Sequence, residues 1–266
     1  MAQDTKTATP ATAIGIDIGG TGMKGGIVDL KKGKLVGDRF RIPTPKPSTP
    51  EAVADVVGEI VDELMKRDEA PAPGTPIGAA FPAIIDDGVA RSAANVDKSW
   101  IDADVDAIFT ERLGREVHII NDADAAGLAE ARYGAGKNVK GSVLAITLGT
   151  GIGSAMLFDG KLVPNFELGH LELDGHNAES RASASARERE DLPWDEYSKR
   201  LQRYFSHVEF LFSPKLFIIG GGISKRSEDF LPHLDLRTPV VVAELKNNAG
   251  IVGAALQAAL HFKLVD

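Results

Sequence analysis

Ile14-Gly15-Ile16-Asp17-Ile18-Gly19-Gly20-Thr21-Gly22-Met23 returns 130 residues later as Leu144-Ala145-Ile146-Thr147-Leu148-Gly149-Thr150-Gly151-Ile152-Gly153, and each copy runs on to an Asp, a Gly and Lys-Leu-Val. A period this long lies outside the range of solenoid repeats and predicts a duplicated domain. Each half should open with a strand, a glycine turn and a second strand, and the two turns should face one cleft. Outward from the first copy, residues 13–18 and 25–28 read as strands, with a third strand over 35–42. Thr49 is a candidate cap and Pro50 a candidate first residue for a helix whose Val53, Val56, Val57, Ile60, Val61, Leu64 and Met65 share one face. A strand follows at 77–80, a helix over 105–113, a strand over 117–120 and a small-residue helix over 123–132.

Outward from the second copy come a strand over 142–148 and its continuation at 155–158. An amphipathic helix over 195–212 follows, with Tyr197, Leu201, Tyr204, Phe205, Val208 and Leu211 in phase. Strands at 216–219 and 240–243 flank the Gly220-Gly221-Gly222 turn, and a helix over 251–260 closes the chain. Strands and helices alternate, so the fold class is α/β. The expected division is a tail over 1–12 without fixed structure, a small lobe of 13–122 plus 250–266, and a large lobe of 123–249.

The chain has 266 residues and no cysteine, which excludes disulfides, thiolate metal sites and a thiol nucleophile, and suits a cytoplasmic protein. Thirty basic against 38 acidic side chains give a net charge of -8, which argues against nucleic acid as a partner. No apolar run is long enough for a bilayer.

Three groups of residues can carry chemistry. In Asp17-Ile18-Gly19-Gly20-Thr21 the glycines allow an anion close to backbone amides, Thr21 adds a hydroxyl, and Asp17 can hold a hydrated cation such as Mg2+. A plain turn is the alternative, and the echo at 149–153 weighs against it. Asn121-Asp122 follows a strand at the end where α/β sheets place ligands. Asp122 is there either to accept a proton from an attacking hydroxyl or, with Asn121, only to cap the next helix. Glu167, His170, His176 and Glu179 lack the spacing of a zinc site. They suit paired hydrogen bonds to vicinal sugar hydroxyls, or form a solvated loop.

Together these motifs resemble the ROK family of sugar kinases, within the actin, hexokinase and heat-shock-protein ATPase superfamily, from Ile14 to about Leu260. The resemblance implies a duplicated actin-like (ribonuclease H-like) fold of two lobes with a central cleft. It implies Asp17, Gly19, Gly20, Thr21 and Lys24 in the first phosphate motif, and Thr147, Gly149, Thr150 and Gly151 in the second. It also implies Gly220, Gly221 and Gly222 as part of the nucleotide-side loop. Asp122 is implied as general base toward the sugar 6-hydroxyl, and Asn121, Glu167, His170 and Glu179 as sugar ligands. Asn95 joins them only as a polar loop residue after a strand. Many members carry a cysteine cluster binding zinc after the Glu-x-Gly-His element; residues 171–180 have none, so no zinc is expected. That absence, the short chain and the segment Gly175-His176-Asn177-Ala178-Glu179 resemble the polyphosphate glucokinase branch. The implied acceptors are glucose and mannose and the implied donors inorganic polyphosphate or ATP, in a monomer or homodimer.

Between Lys24 and Lys46 stand seven basic residues (Lys24, Lys31, Lys32, Lys34, Arg39, Arg41, Lys46) and two acidic ones, a local net of +5. This patch is expected beside the first phosphate turn, guiding a long polyanion, or else as a lysine-guarded hairpin edge. Two other functions on this fold are a sugar-sensing repressor, which needs a DNA-binding element that the polar tail does not supply, and an actin-like ATPase, which has no use for Glu167, His170 and Glu179.

Overall fold

Each copy of the repeated stretch opens a five-stranded sheet with its own core. The computed structural model describes residues 12–93 and 96–265, so Asn95 and the tail before Thr12 lie outside the described residues. Contacts divide the chain into one unit that ends at Ile120 and takes up the chain again from Ala254, and a second over Asn121–Gly253. Asn121 and Asp122 go with the second unit rather than closing the first, because the helix they begin packs on that unit's sheet.

In the first unit β1 (Thr12–Ile18), β2 (Met23–Asp29) and β3 (Lys34–Ile42) form an antiparallel meander. β4 (Ile77–Phe81) adds parallel to β1 after the helix α1 (Pro50–Leu64). The short pair β5 (Ile85–Asp86) and β6 (Val89–Ala90) and the helix α2 (Val105–Leu113) lead to β7 (Val117–Asn121), giving the order β3-β2-β1-β4-β7. Thr49 caps α1 by accepting the Ala52 N–H, Pro50 fills the first turn where its missing N–H costs nothing, and Val53, Val57, Ile60 and Leu64 are fully buried. Trp100 lies in this core against Phe81 and Phe109 and donates its indole N–H to Ser48 at 2.7 Å.

The second unit begins with the helix α3 (Asp122–Tyr133) and then repeats the meander as β8 (Ser142–Leu148), β9 (Ile152–Phe158) and β10 (Lys161–Val163). The hairpin β11 (Glu172–Leu173) and β12 (His176–Asn177), the helices α4 (Ala178–Ala182), α5 (Ala184–Arg189) and α6 (Trp194–Phe212), and the parallel strands β13 (Leu216–Gly220) and β14 (Val240–Val242) complete it. Its sheet order, β10-β9-β8-β13-β14, is the counterpart of the first, and β1 and β8 share one burial pattern along their seven residues. The last helix, α7 (Ala249–His261), begins in the second unit and ends in the first.

Two details differ from the sequence expectation. Leu211 is 49% exposed, because the last turn of α6 runs past the core that Tyr197, Leu201, Tyr204, Phe205 and Val208 fill. The segment after Glu167 is not a plain loop: a 3-10 turn (Leu168–His170), the β11-β12 hairpin and α4 give it fixed backbone geometry. Among the described residues no helix is long and apolar enough to cross a membrane.

Candidate active site

The site of the second unit starts at the first turn of α3. Asn121 is the cap: its Oδ1 accepts the N–H groups of Ala123 at 2.9 Å and Asp124 at 3.0 Å. Asp122 then stands one position inside the helix with its carboxylate exposed, where the helix dipole favours negative charge. The capping explanation therefore holds for Asn121, which is 8% exposed, and leaves Asp122, whose Oδ1 also meets the Ala123 N–H at 2.8 Å, at the surface.

Glu167 is positioned by the two residues on either side of it. Ser154 of β9 accepts the Leu168 N–H at 2.9 Å and donates to the Phe166 carbonyl, while Asp124 Oδ2 accepts the Asn165 N–H at 2.9 Å. Asp124 is 1% exposed and its Oδ1 has no partner among the described residues. Burial pushes its pKa up to about 7, against the Asn165 bond and with help from the charges of Glu167 and Asp122. Half-buried Glu167 also lies above its ordinary value, chiefly by burial, with His170 pulling it down and Glu179 pushing it up. Asp122, Asp124, Glu167 and Glu179 thus form a chain of carboxyls close enough to feel one another's charge.

His170 and Glu179 face each other, Nδ1 to Oε1 at 3.9 Å, and the Asn177 amide nitrogen meets His170 Nδ1 at 3.0 Å. The second carboxylate oxygen of Glu179 accepts the Ile152 N–H at 3.1 Å, directly after the glycine turn. A side chain at Gly151 would run into that same oxygen. Glu179 therefore contacts both His170 and the second glycine turn. His176 points elsewhere, with Nε2 2.7 Å from Arg181.

The turn itself closes by Gly149 N–H to the Gly151 carbonyl at 3.0 Å. Ser185 holds its back, through the Ser185 N–H to the Gly149 carbonyl at 3.1 Å and the hydroxyl to the Thr150 carbonyl at 2.5 Å. The carbonyls are so engaged, while the Thr150 and Gly151 amides have no acceptor among the described residues. Thr147 lies just below, at the end of β8, against Gly153 and Gly220. Gly221, at φ +83°, packs on the Leu148 backbone where a Cβ would collide, which brings the 220–222 turn beside the 149–151 turn. A pocket of about 350 Å³ opens there, lined by Gly149, Thr150, Arg187, Trp194, Gly222 and Arg226 among others.

The first unit's turn is built differently. Gly19 N–H bonds the Gly22 carbonyl at 3.2 Å, Thr44 donates to the Gly19 carbonyl, and Arg41 donates to the Thr21 carbonyl at 3.2 Å. Gly20 and Thr21 are exposed. Asp17 and Lys24 are register partners on β1 and β2, and their side chains pair at 3.2 Å. Lys31, Lys32 and Lys34, however, sit at the β2-β3 turn, the far end of the hairpin from 19–22. Seven strand residues separate the two ends, roughly 20 Å at about 3.3 Å per residue, so these three lysines of the expected basic patch lie away from the turn, while Lys24 and Arg41 adjoin it.

Among the described residues no cluster of His, Asp and Glu is arranged to hold a metal ion. Arg187, Trp194 and Arg226 are the lining residues that sequence reading passed over. They fall in no motif, and only the adjacency of α5, α6 and the 3-10 segment Gly222–Asp229 brings them together.

Residues 13–184 match the sequence profile of the ROK family. The chain is 50% identical over 249 residues to the polyphosphate glucokinase of Mycobacterium tuberculosis (strain H37Rv), covering 93% of this chain and 91% of that one. The crystal structure of inorganic polyphosphate/ATP-glucomannokinase from Arthrobacter sp. strain KM superposes with a TM-score of 0.91 at 71% identity, over 94% of this chain and 99% of that one. A ROK family glucokinase from Streptomyces griseus, in complex with glucose and AMPPNP, gives a TM-score of 0.80 at 25% identity, over 94% and 99%.

Proposed function

The chain belongs to the ROK family and has the duplicated actin-like fold, and from that premise we propose that it is a hexose kinase. It transfers a phosphoryl group from inorganic polyphosphate or ATP to the 6-hydroxyl of glucose and of mannose. The observation that carries this reading is the double engagement of Glu179, which ties an amide-lined turn suited to phosphate to the side chains suited to vicinal hydroxyls.

Glu167, His170, Glu179 and Asn121 hold the sugar, each losing a partner when a hydroxyl is absent or inverted. Asp122 orients the 6-hydroxyl and takes its proton as the oxygen attacks the terminal phosphorus. The bridging P–O bond breaks, and the shortened donor leaves with that electron pair. Amides of Thr150 and Gly151, and the 220–222 turn, bind donor phosphates in the second unit; Gly19, Gly20, Thr21 and Lys24 form the first unit's phosphate turn. Asp17 suits a magnesium ion that keeps most of its waters, since Lys24 takes only Oδ2 and no described residue takes Oδ1. Bound magnesium neutralises donor charge. The enzyme works in the cytoplasm.

The test supplies glucose, mannose, fructose and glucosamine in turn with polyphosphate or ATP and scores sugar 6-phosphate. Product from glucose and mannose with both donors is the expected result; no transfer to any hexose would overturn the reading.

A further inference from the structure

The pocket beside the second glycine turn carries a charge that the protein leaves unanswered. Arg187 lies with its guanidinium carbon 3.7 Å from the centre of the Trp194 ring, and its Nε is buried without a hydrogen-bond partner among the described residues. It forms no ion pair among those residues, whereas Arg200 and Arg203 of the same unit are paired with Glu190 and Asp174. Arg226 approaches the same indole at 5.2 Å and gives one N–H to Asp229 at 2.5 Å, which leaves the rest of its fork of donors. Glu188 is the one carboxylate lining the pocket, and it is exposed.

Trp194 would otherwise be a natural seat for a nucleobase. Arg187 covers it, and Phe230 stacks at 6.2 Å with its ring nearly parallel. What the pocket offers past the turn is therefore guanidinium rather than open aromatic surface. A donor whose next units are phosphates meets complementary charge there, while one that continues into an uncharged nucleoside does not.

We infer that Arg187, with Arg226 beside it on Trp194, forms a subsite for donor phosphates beyond the third, where ATP continues into its nucleoside, and that this subsite favours polyphosphate over ATP. The inference rests on the kinase reading above and adds the residues that choose the donor. Arg187 is the stronger member, because no ion pair among the described residues neutralises it, whereas Arg226 is paired with Asp229.

The experiment measures kcat/KM for polyphosphate and for ATP, at saturating glucose, in the wild type, Arg187→Ala, Arg187→Lys and Arg226→Ala. The ratio of the two constants should fall at least tenfold in Arg187→Ala and less in Arg226→Ala. Arg187→Lys, which keeps the charge and loses the fork, should lie between wild type and Arg187→Ala. The thermal shift caused by glucose reports that each variant is folded, and the thermal shift caused by polyphosphate alone should shrink in Arg187→Ala. An unchanged ratio, or an equal loss with both donors, in variants that keep the glucose shift would overturn the inference. A wild type that uses ATP alone would do the same and leave the kinase reading standing; a wild type that uses neither donor would remove that reading itself.

Discussion

The two glycine turns descend from one sequence pattern, yet the residues behind them carry opposite charge. Behind the turn at 19–22 stand Arg41, whose guanidinium fills the space where a Gly22 side chain would go, and the Asp17–Lys24 pair. Behind the turn at 149–151 stands Glu179, in the corresponding contact with Gly151, and the position of Asp17 is taken by uncharged Thr147. Duplication thus preserved the backbone device and changed what it is wired to. In the function proposed above, the first turn grips donor phosphate with Arg41 and Lys24 behind it. The second shares Glu179 with His170, so in the proposed function acceptor binding and donor binding meet in one side chain.

The largest effect expected on the second unit comes from Asp122→Ala. A positioned base contributes on the order of 100 to 10,000-fold, so kcat should fall by that much while glucose still raises the melting temperature. Turnover within a few-fold of wild type would remove Asp122 from the chemistry.

Next is the buried neighbour. Asp124 titrates at about 7 in the folded protein against 3.8 for its ordinary value. Because the folded pKa is the higher one, the fold holds more protons than the unfolded chain between those pH values, and this group's contribution to stability declines as pH rises through that window. The difference amounts to on the order of 4 kcal/mol, fully present as a penalty above about pH 7. Asp124→Asn keeps the acceptor for the Asn165 N–H and stays neutral. It should be the more stable protein at pH 8, with the advantage gone by pH 4, as read from paired denaturant titrations. A constant offset at both pH values would refute the assignment.

Smaller effects separate the turns. Gly151→Ala displaces the Glu179 carboxylate and should weaken glucose and donor use together, roughly ten- to hundredfold, the range for losing a hydrogen bond to a charged group. Gly22→Ala displaces Arg41 instead and should raise the donor KM while sparing that for glucose. If both variants gave the same pattern, the contrast between the turns would fail. The smallest effect is expected from replacing Lys31, Lys32 and Lys34 together by Ala. At roughly 20 Å along the hairpin they lie beyond the Debye length of about 8 Å at physiological salt, so the polyphosphate KM should move by less than about twofold.

That last case shows what sequence reading missed. A window of local charge counts Lys31 and Lys24 as neighbours, but a hairpin turns the chain back and sets them at opposite ends. The turns themselves, the face of α1 and the place of Asn121-Asp122 were legible, because a repeat, a helical period and a strand-to-helix junction are local signals. Asp124 was not: two carboxyls two positions apart on α3 read alike, and only packing against β9 and the 165–168 segment buries one and exposes the other. Arg187 and Arg226 were invisible for the same reason, being far apart in sequence and joined only by Trp194.

The most direct measurement is the pair of KM values, for glucose and for the phosphoryl donor, in Glu179→Ala. If one carboxylate serves both the hydroxyl set and the second turn, both constants rise together. A rise for glucose with the donor constant unchanged would contradict the shared role on which this account of the site depends.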